Sequence, residues 1–169
     1  MKYIKAPKAK KLQLKKIKVF YINIRISVPI NHISIDMTSQ QTPQIILPHL
    51  NWSLARLKEV IEKEDTEYYR AAALQRFRLT YEVALKVIRA FAKQEGKVFP
   101  TDDACFQWVE EKQWLKNKSD WTAVIKSYKK VKSLPKEKST DRIYNELPAH
   151  YALLHDMNES MNLALSKKP

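Results

Sequence analysis

Residues 70–96 read RAAALQRFRLTYEVALKVIRAFAKQEG and decide the fold of this 169-residue chain. Apolar side chains recur here every three or four residues, which is the period of one face of an α-helix. They are Leu74, Phe77, Tyr81, Ala84, Ile88 and Phe91, with the small or β-branched Ala73, Thr80 and Val87 beside them. Gly96, the only glycine, follows the last of them and can adopt the left-handed backbone that closes a helix. The pattern predicts a long helix buried along the seam of an all-α helical bundle.

Residue composition excludes several classes of protein. The chain has one glycine, one cysteine and four histidines. P-loops and dinucleotide-binding folds need glycines where the backbone approaches phosphate, and a disulfide framework or a multi-cysteine zinc site needs more thiols. The histidines never form an HExxH motif, and no apolar run approaches the roughly 20 residues that span a bilayer. We therefore expect a cytoplasmic protein that holds neither a metal nor a cofactor.

The first 36 residues differ from the rest of the chain. They hold nine of the 31 basic residues, one of the 18 acidic residues and eight isoleucines, and residues 19–29 alternate well enough for an isolated strand. Two interpretations stay open. The segment is either a basic arm for nucleic acid or a membrane surface, or an over-extended start with Met37 as the natural initiator, which we favour. We divide the chain into a basic, Ile/Lys-rich extension and linker at residues 1–48 and a helical bundle domain at residues 49–166.

Four further helices are expected beside the long one. They should begin at about Leu50, after Thr101, after Ser119 and after Ser139 or Thr140. Their inward-facing residues should include Leu50, Leu54, Leu57 and Ile61, then Phe106, Trp108, Val109 and Leu115, then Trp121, Val124, Ile125 and Tyr128, and finally Ile143, Leu147, Tyr151, Leu154, Met161 and Leu165. Pro148 should kink the last helix or mark its first full turn. Short connections favour an antiparallel up-and-down bundle of four to five helices, and the broad apolar stripes favour a homodimer.

Six residues of the long helix resemble a family signature. They are Gln75, Arg76, Phe77, Tyr81, Glu82 and Lys86. In this order the chain is similar, over about residues 50–165, to the nucleotidyltransferase substrate-binding family, helical bundles of the HEPN superfamily. The resemblance implies a bundle fold and a minimal nucleotidyltransferase as partner. It also implies kinship with toxin–antitoxin pairs whose helical member is a ribonuclease.

The ribonuclease relatives carry an arginine, four residues, a histidine, one residue and a tyrosine before the last helix. There the histidine exchanges protons with the ribose hydroxyl and the arginine neutralises the phosphate. In this chain the three positions fall at about Tyr128, Ser133 and Pro135, so the motif is degenerate. The resemblance therefore favours a non-enzymatic binding protein. Two alternatives stay open: a ribonuclease toxin with a rearranged lysine-rich site, and a nucleic-acid-binding protein that uses the basic N-terminal arm.

Lysines cluster in the expected connection between the fourth and fifth helices, residues 129–138. Lys129, Lys130 and Lys132 are candidates for contact with phosphate or RNA. Arg142 and His150 lie about 80° apart around a helix and roughly 12 Å apart along it, an unfavourable arrangement for holding one phosphate.

Several other side chains have structural interpretations. Glu82 and Lys86 are spaced for an i, i+4 ion pair. Cys105 begins the third helix, where a thiol pKa can be lowered, but the favoured interpretation is a small core residue. Three tryptophans are expected to lie in the core or to anchor an interface: Trp108, Trp114 and Trp121.

Overall fold

The computed structural model describes residues 42–115, 121–133 and 137–167. These residues form five α-helices and no strand, which confirms the all-α fold. The helices are α1 (Pro43–Ile61), α2 (Glu67–Gln94), α3 (Asp102–Glu111), α4 (Trp121–Lys132) and α5 (Glu137–Ser166). All five belong to one compact unit, Asp36–Pro169.

Helix α2 is the centre of the bundle and contacts each of the other four helices. Every residue of its predicted inward stripe is buried, and so are Ala73, Thr80 and Val87 beside it. Phe77, Tyr81 and Ile88 are completely inaccessible to solvent. The period of three and four residues therefore identified the buried face of α2 correctly, because burial of that face is what stabilises the helix in water.

The most extensive helix pairing in the bundle is that of α1 with α2. The buried Thr80 hydroxyl lies between two carbonyl oxygens, 2.9 Å from that of Arg76 in its own helix and 3.2 Å from that of Ser53 in α1, which requires small side chains at the contact. Near the other end, Gln94 at the end of α2 donates to Gln44 at the start of α1 over 3.4 Å. The up-and-down arrangement of the whole bundle stays a prediction.

Helix α1 begins at Pro43, earlier than the predicted start near Leu50. Thr42 has the extended backbone of an N-cap, and proline suits the first helical position because no intrahelical acceptor exists there for its missing N–H. Ile46 and Leu47 are buried and extend the apolar stripe towards the N-terminus. The proposed boundary between residues 48 and 49 thus falls inside a helix.

Helix α4 runs through the first part of the expected connection, so Lys129, Lys130 and Lys132 are helical. The reason is that Val131 packs against the core one turn after Tyr128 and continues the apolar stripe. Helix α5 already begins at Glu137, so neither Ser139 nor Thr140 precedes it as a cap. The helix continues through Pro148.

Two helix starts and two helix ends have clear local causes. The Thr66 and Thr101 hydroxyls accept hydrogen bonds from the backbone N–H groups of Tyr69 and Ala104, which confirms Thr101 as a cap. Gly96 has φ 69° and its N–H bonds to the Lys93 carbonyl while that of Lys97 bonds to Ala92, the two hydrogen bonds of a Schellman motif. Helix α3 ends in the same way, with Gln113 at φ 57° in the glycine position.

Several expectations fall on residues that the structure does not describe. They are the strand at residues 19–29, the basic arm, the initiator Met37 and the cap Ser119. None of the described helices combines the length and the apolar character needed to cross a membrane.

Candidate functional site

The six signature residues divide into a buried and an exposed set. Phe77 and Tyr81 are fully buried in the core, and Glu82 is half-buried. Gln75, Arg76 and Lys86 are exposed on α2. The signature therefore combines core packing with a surface, and only the exposed residues can contact another molecule directly.

A stack of aromatic rings joins α2 to α4. The rings of Tyr81 and Tyr128 lie face to face with centroids 4.0 Å apart. The Tyr81 hydroxyl donates a 2.9 Å hydrogen bond to Asp102, which also accepts one from Arg89. Burial, followed by the bond to Asp102, raises the pKa of Tyr81. This phenol stays protonated at neutral pH and has no tendency to act as a nucleophile.

Glu82 forms a different contact from the one that its spacing predicts. Its carboxylate accepts a 3.1 Å hydrogen bond from the Tyr128 hydroxyl, and Lys132 lies 5.7 Å from the centre of that ring. Burial, followed by the bond to Glu82, raises the pKa of Tyr128. Among the described residues no ion pair joins Glu82 to Lys86, because the half-buried carboxylate points to α4. This arrangement places Lys132 over the aromatic stack.

A polar cluster that the sequence did not reveal lies between α4 and α5. The buried His150 ring nitrogen Nε2 is 3.0 Å from the Ser127 hydroxyl, which donates to Glu146 over 3.2 Å. Glu146 also accepts a 3.0 Å bond from Arg142 Nε. That bond above all, together with the one from Ser127, lowers the pKa of Glu146. The carboxylate is thus held as an anion between two helices.

This cluster lacks the geometry of a catalytic triad. In a triad the serine donates to the histidine, and the carboxylate binds the opposite ring nitrogen. Here Glu146 lies 3.8 Å from the same His150 nitrogen that faces the serine, and it also lies 3.2 Å from the serine hydroxyl. The cluster therefore orients Arg142 and supports no attack by Ser127.

Arg142 and His150 both lie near Glu146, a residue that the interpretation of this pair left out; that the two would not hold one phosphate stays a prediction. Both lie one turn from Glu146, and each comes within 3.8 Å of its carboxylate. Successive steps of four residues turn only about 40° around a helix, so the middle residue links the two outer ones. This spacing was visible in the sequence. Ser127 was not, because it comes from another helix.

A groove opens to solvent above this cluster, and we call it the α4/α5 groove. It encloses about 300 Å³. Its lining residues are Thr122, Ala123, Lys126, Ser127, Lys130, Arg142, Ile143 and Glu146. A second depression of about 420 Å³ shares Lys126 and Lys130 with it and adds Lys129, whose ammonium is 3.9 Å from Asp103. Of the three predicted phosphate contacts, Lys129 and Lys130 thus lie near one another at these openings, while Lys132 lies apart on the Tyr128 ring.

A second surface, which we call the α1/α2 face, comprises Trp52, Arg56, Tyr68 and Arg76. Arg56 lies 5.9 Å from the centre of the Trp52 ring and shares a depression of about 280 Å³ with Tyr68 and Arg76. Trp52 is 58% exposed and Tyr68 75% exposed. This face is aromatic and cationic, and it includes one of the exposed signature residues.

The remaining candidates belong to the core. Cys105 is fully buried, and burial raises the pKa of its thiol, the opposite of the shift that a helix start can cause. Trp108 is buried, and Trp114 and Trp121 pack against the core from partly buried positions. No group of three or more histidine, cysteine, aspartate or glutamate side chains is arranged for a metal ion in the described part of the chain.

Comparison with known proteins gives one result. A family model described as "Nucleotidyltransferase substrate binding protein like" matches residues 46–163, which include α2, the α1/α2 face and the α4/α5 groove. No curated protein and no solved structure gives a significant match.

Proposed function

Because the chain belongs to the nucleotidyltransferase substrate binding protein-like family, we propose that it is a non-enzymatic binding protein of the HEPN type that associates with a minimal nucleotidyltransferase. We further propose that the two proteins form a pair of the toxin–antitoxin kind in the cytoplasm. The resemblance in the signature helix supports both parts of this proposal, and the family match covers that helix completely.

The observation that carries the proposal is the composition of the α1/α2 face. Tryptophan, tyrosine and arginine supply most of the binding energy in protein interfaces. Trp52 and Tyr68 contribute little to the core, since more than half of each side chain is exposed. Arg56 and Arg76 line one depression with Tyr68, and Arg56, which is paired with Glu59, also lies over the Trp52 ring. A partner with an acidic, apolar-centred surface would match this face.

Three features support binding in preference to catalysis. The pKa of both stacked phenols, Tyr81 and Tyr128, is raised, so neither is activated as a nucleophile. Glu146 lies 3.8 Å from the same His150 nitrogen that faces Ser127, whereas in a triad the carboxylate binds the opposite ring nitrogen. In addition, the histidine that the ribonuclease motif requires is replaced at about Ser133.

The test is a binding measurement with the nucleotidyltransferase encoded beside this chain. Arg76→Glu and Tyr68→Ala should each weaken the complex about tenfold or more by calorimetry, since each changes a central residue of the proposed interface. Lys93→Glu serves as the matched control, because it reverses an exposed charge near the other end of α2. Equal affinities of the wild type and both face variants would contradict the placement on this face, and absence of any complex with the wild type would contradict the proposed function.

We also propose that the chain is a homodimer, as its broad apolar stripes suggest. Light scattering on the purified chain measures its mass in solution. A strict monomer at micromolar concentration would contradict the proposed homodimer.

A further inference from the structure

The α4/α5 groove holds basic side chains that the fold itself does not use. Lys126 and Lys130 stand one turn apart on α4 and line both the groove and the adjoining depression. Neither forms an ion pair with a carboxylate within the described part of the chain. Like charges at this spacing repel each other on a helix. A bound anion between the two ammonium groups would turn that repulsion into attraction.

The third basic residue reaches the groove from the other helix. Arg142 on α5 uses its Nε for Glu146, and its terminal amino groups have no partner among the described residues. The guanidinium is thereby oriented, with its remaining N–H donors available to a planar or tetrahedral oxyanion. Donors from two helices thus converge on one opening, as a site for a compact anion requires.

We propose that the α4/α5 groove binds a small anion with two or more linked phosphates, and that Lys126, Lys130 and Arg142 contact its phosphate oxygens. This inference rests on the proposed function for its link to nucleotidyl transfer, and it deepens that function by naming the class of ligand that the chain would present to its partner. Free pyrophosphate and the diphosphate or triphosphate of a nucleoside share this chemistry.

Charge favours linked phosphates over a single one. Among the described residues, the groove and the depression together present four basic side chains, Lys126, Lys129, Lys130 and Arg142, against the carboxylates of Asp103 and Glu146. Glu146 is committed to Arg142 and Ser127 at one end, and Asp103 lies near Lys129 at the other. The highest positive charge therefore lies between them, at the two lysines that both openings share.

A single-stranded nucleic acid fits this groove less well than a small anion with linked phosphates. Surfaces that bind single strands combine basic residues with aromatic side chains on which the bases stack. Of the lining residues that the structure describes, none is aromatic in either the groove or the depression. The volume of about 300 Å³ also suits a small molecule.

The probe for the test is sodium pyrophosphate, titrated into the purified full-length chain by calorimetry. Lys126→Ala, Lys130→Ala and Arg142→Ala should each weaken binding about tenfold, the loss expected for one charge-assisted hydrogen bond at an open site. Lys132→Ala is the matched control, since this lysine is on the same helix but lies over the Tyr128 ring. It should change the affinity less than about twofold. Circular dichroism of each variant checks that the bundle is intact.

Further titrations distinguish the sources of the ligand. Binding of ATP at least ten times tighter than that of pyrophosphate would identify a nucleotide, and equal affinities would identify the linked phosphates alone. Both outcomes support the proposal. The proposal would be overturned if the wild type bound neither pyrophosphate nor ATP. It would also be overturned if Lys132→Ala weakened binding as much as the groove variants. Tight binding of a short uridine-only RNA without binding of pyrophosphate would overturn it as well.

This experiment is independent of the partner-binding test. It needs no nucleotidyltransferase, and its variants lie on α4 and α5, whereas those of the partner test lie on α2. If one of the two experiments fails, the result of the other can therefore still be interpreted.

Discussion

Two of the residues that the structure describes adopt a left-handed backbone, and both end a helix. Gly96 has φ 69° and Gln113 has φ 57°. A left-handed conformation brings Cβ close to the following carbonyl oxygen in every residue except glycine. A Cβ at Gly96 would meet nothing within 4 Å, so the constraint there is purely conformational. Gln113 adopts the same left-handed backbone although it has a Cβ. A glycine at this position would relieve the strain and stabilise the protein.

We predict that Gln113→Gly raises the free energy of unfolding by about 0.5–1 kcal/mol and that Gly96→Ala lowers it by about 1 kcal/mol. The backbone strain is removed in the first case and introduced in the second. Urea denaturation followed by circular dichroism measures both. Gln107→Gly, at an exposed position inside α3, is the control and should destabilise the protein. A loss of stability in Gln113→Gly similar to that in the control would refute the cap assignment.

At the scale of the helices, a periodic apolar face competes with residues that disfavour a helix. Helix α1 contains Pro48 in its second turn and still extends from Pro43 to Ile61. Proline there removes the N–H that would bond to the Gln44 carbonyl. The helix persists because Ile46, Leu47 and Leu50 are buried on one face, and their burial outweighs one missing hydrogen bond. For the same reason α4 retains its helical form through the lysines that follow Tyr128.

We expect Pro48→Ala to raise the free energy of unfolding by about 1 kcal/mol or more, because it restores a backbone hydrogen bond and removes a steric clash. Part of the gain is offset by the greater freedom of the unfolded chain. His49→Ala is the matched control, since it changes an adjacent exposed residue and should gain only about 0.5 kcal/mol from helix propensity. Thermal unfolding of the two variants decides the matter. A smaller gain for Pro48→Ala than for His49→Ala would mean that α1 has adapted fully to its proline.

At the scale of the whole molecule, one core joins all five helices around α2. Buried residues extend from Ile46 in α1 to Met161 in α5, and the compact unit that contains them is Asp36–Pro169. The first 36 residues account for nine of the 31 basic residues, so most of the net charge of +13 lies outside this core. We therefore expect the bundle to fold without the residues that carry most of the net charge.

We predict that a variant lacking residues 1–36 keeps the helical circular dichroism and the cooperative unfolding of the full chain. A longer deletion, through residue 47, should lower the free energy of unfolding by several kcal/mol, because it removes Ile46 and Leu47 from the core at about 1.5–3 kcal/mol each. Chemical denaturation of both variants checks this. If the shorter deletion already unfolded the bundle, the core would extend beyond the unit described.

The sequence by itself determined the helical class, the buried face of α2, the caps at Thr101 and Gly96, and the family of the chain. Each depends on residues close together in the chain, whose periodicity and backbone preferences are local properties. The tertiary structure alone decided that Glu82 contacts Tyr128 instead of Lys86, that Ser127 meets His150, and that Lys126, Lys130 and Arg142 share one groove. The residues in these contacts come from different helices. Their meeting depends on how the apolar faces pack, and no local pattern encodes the relative rotation of two helices.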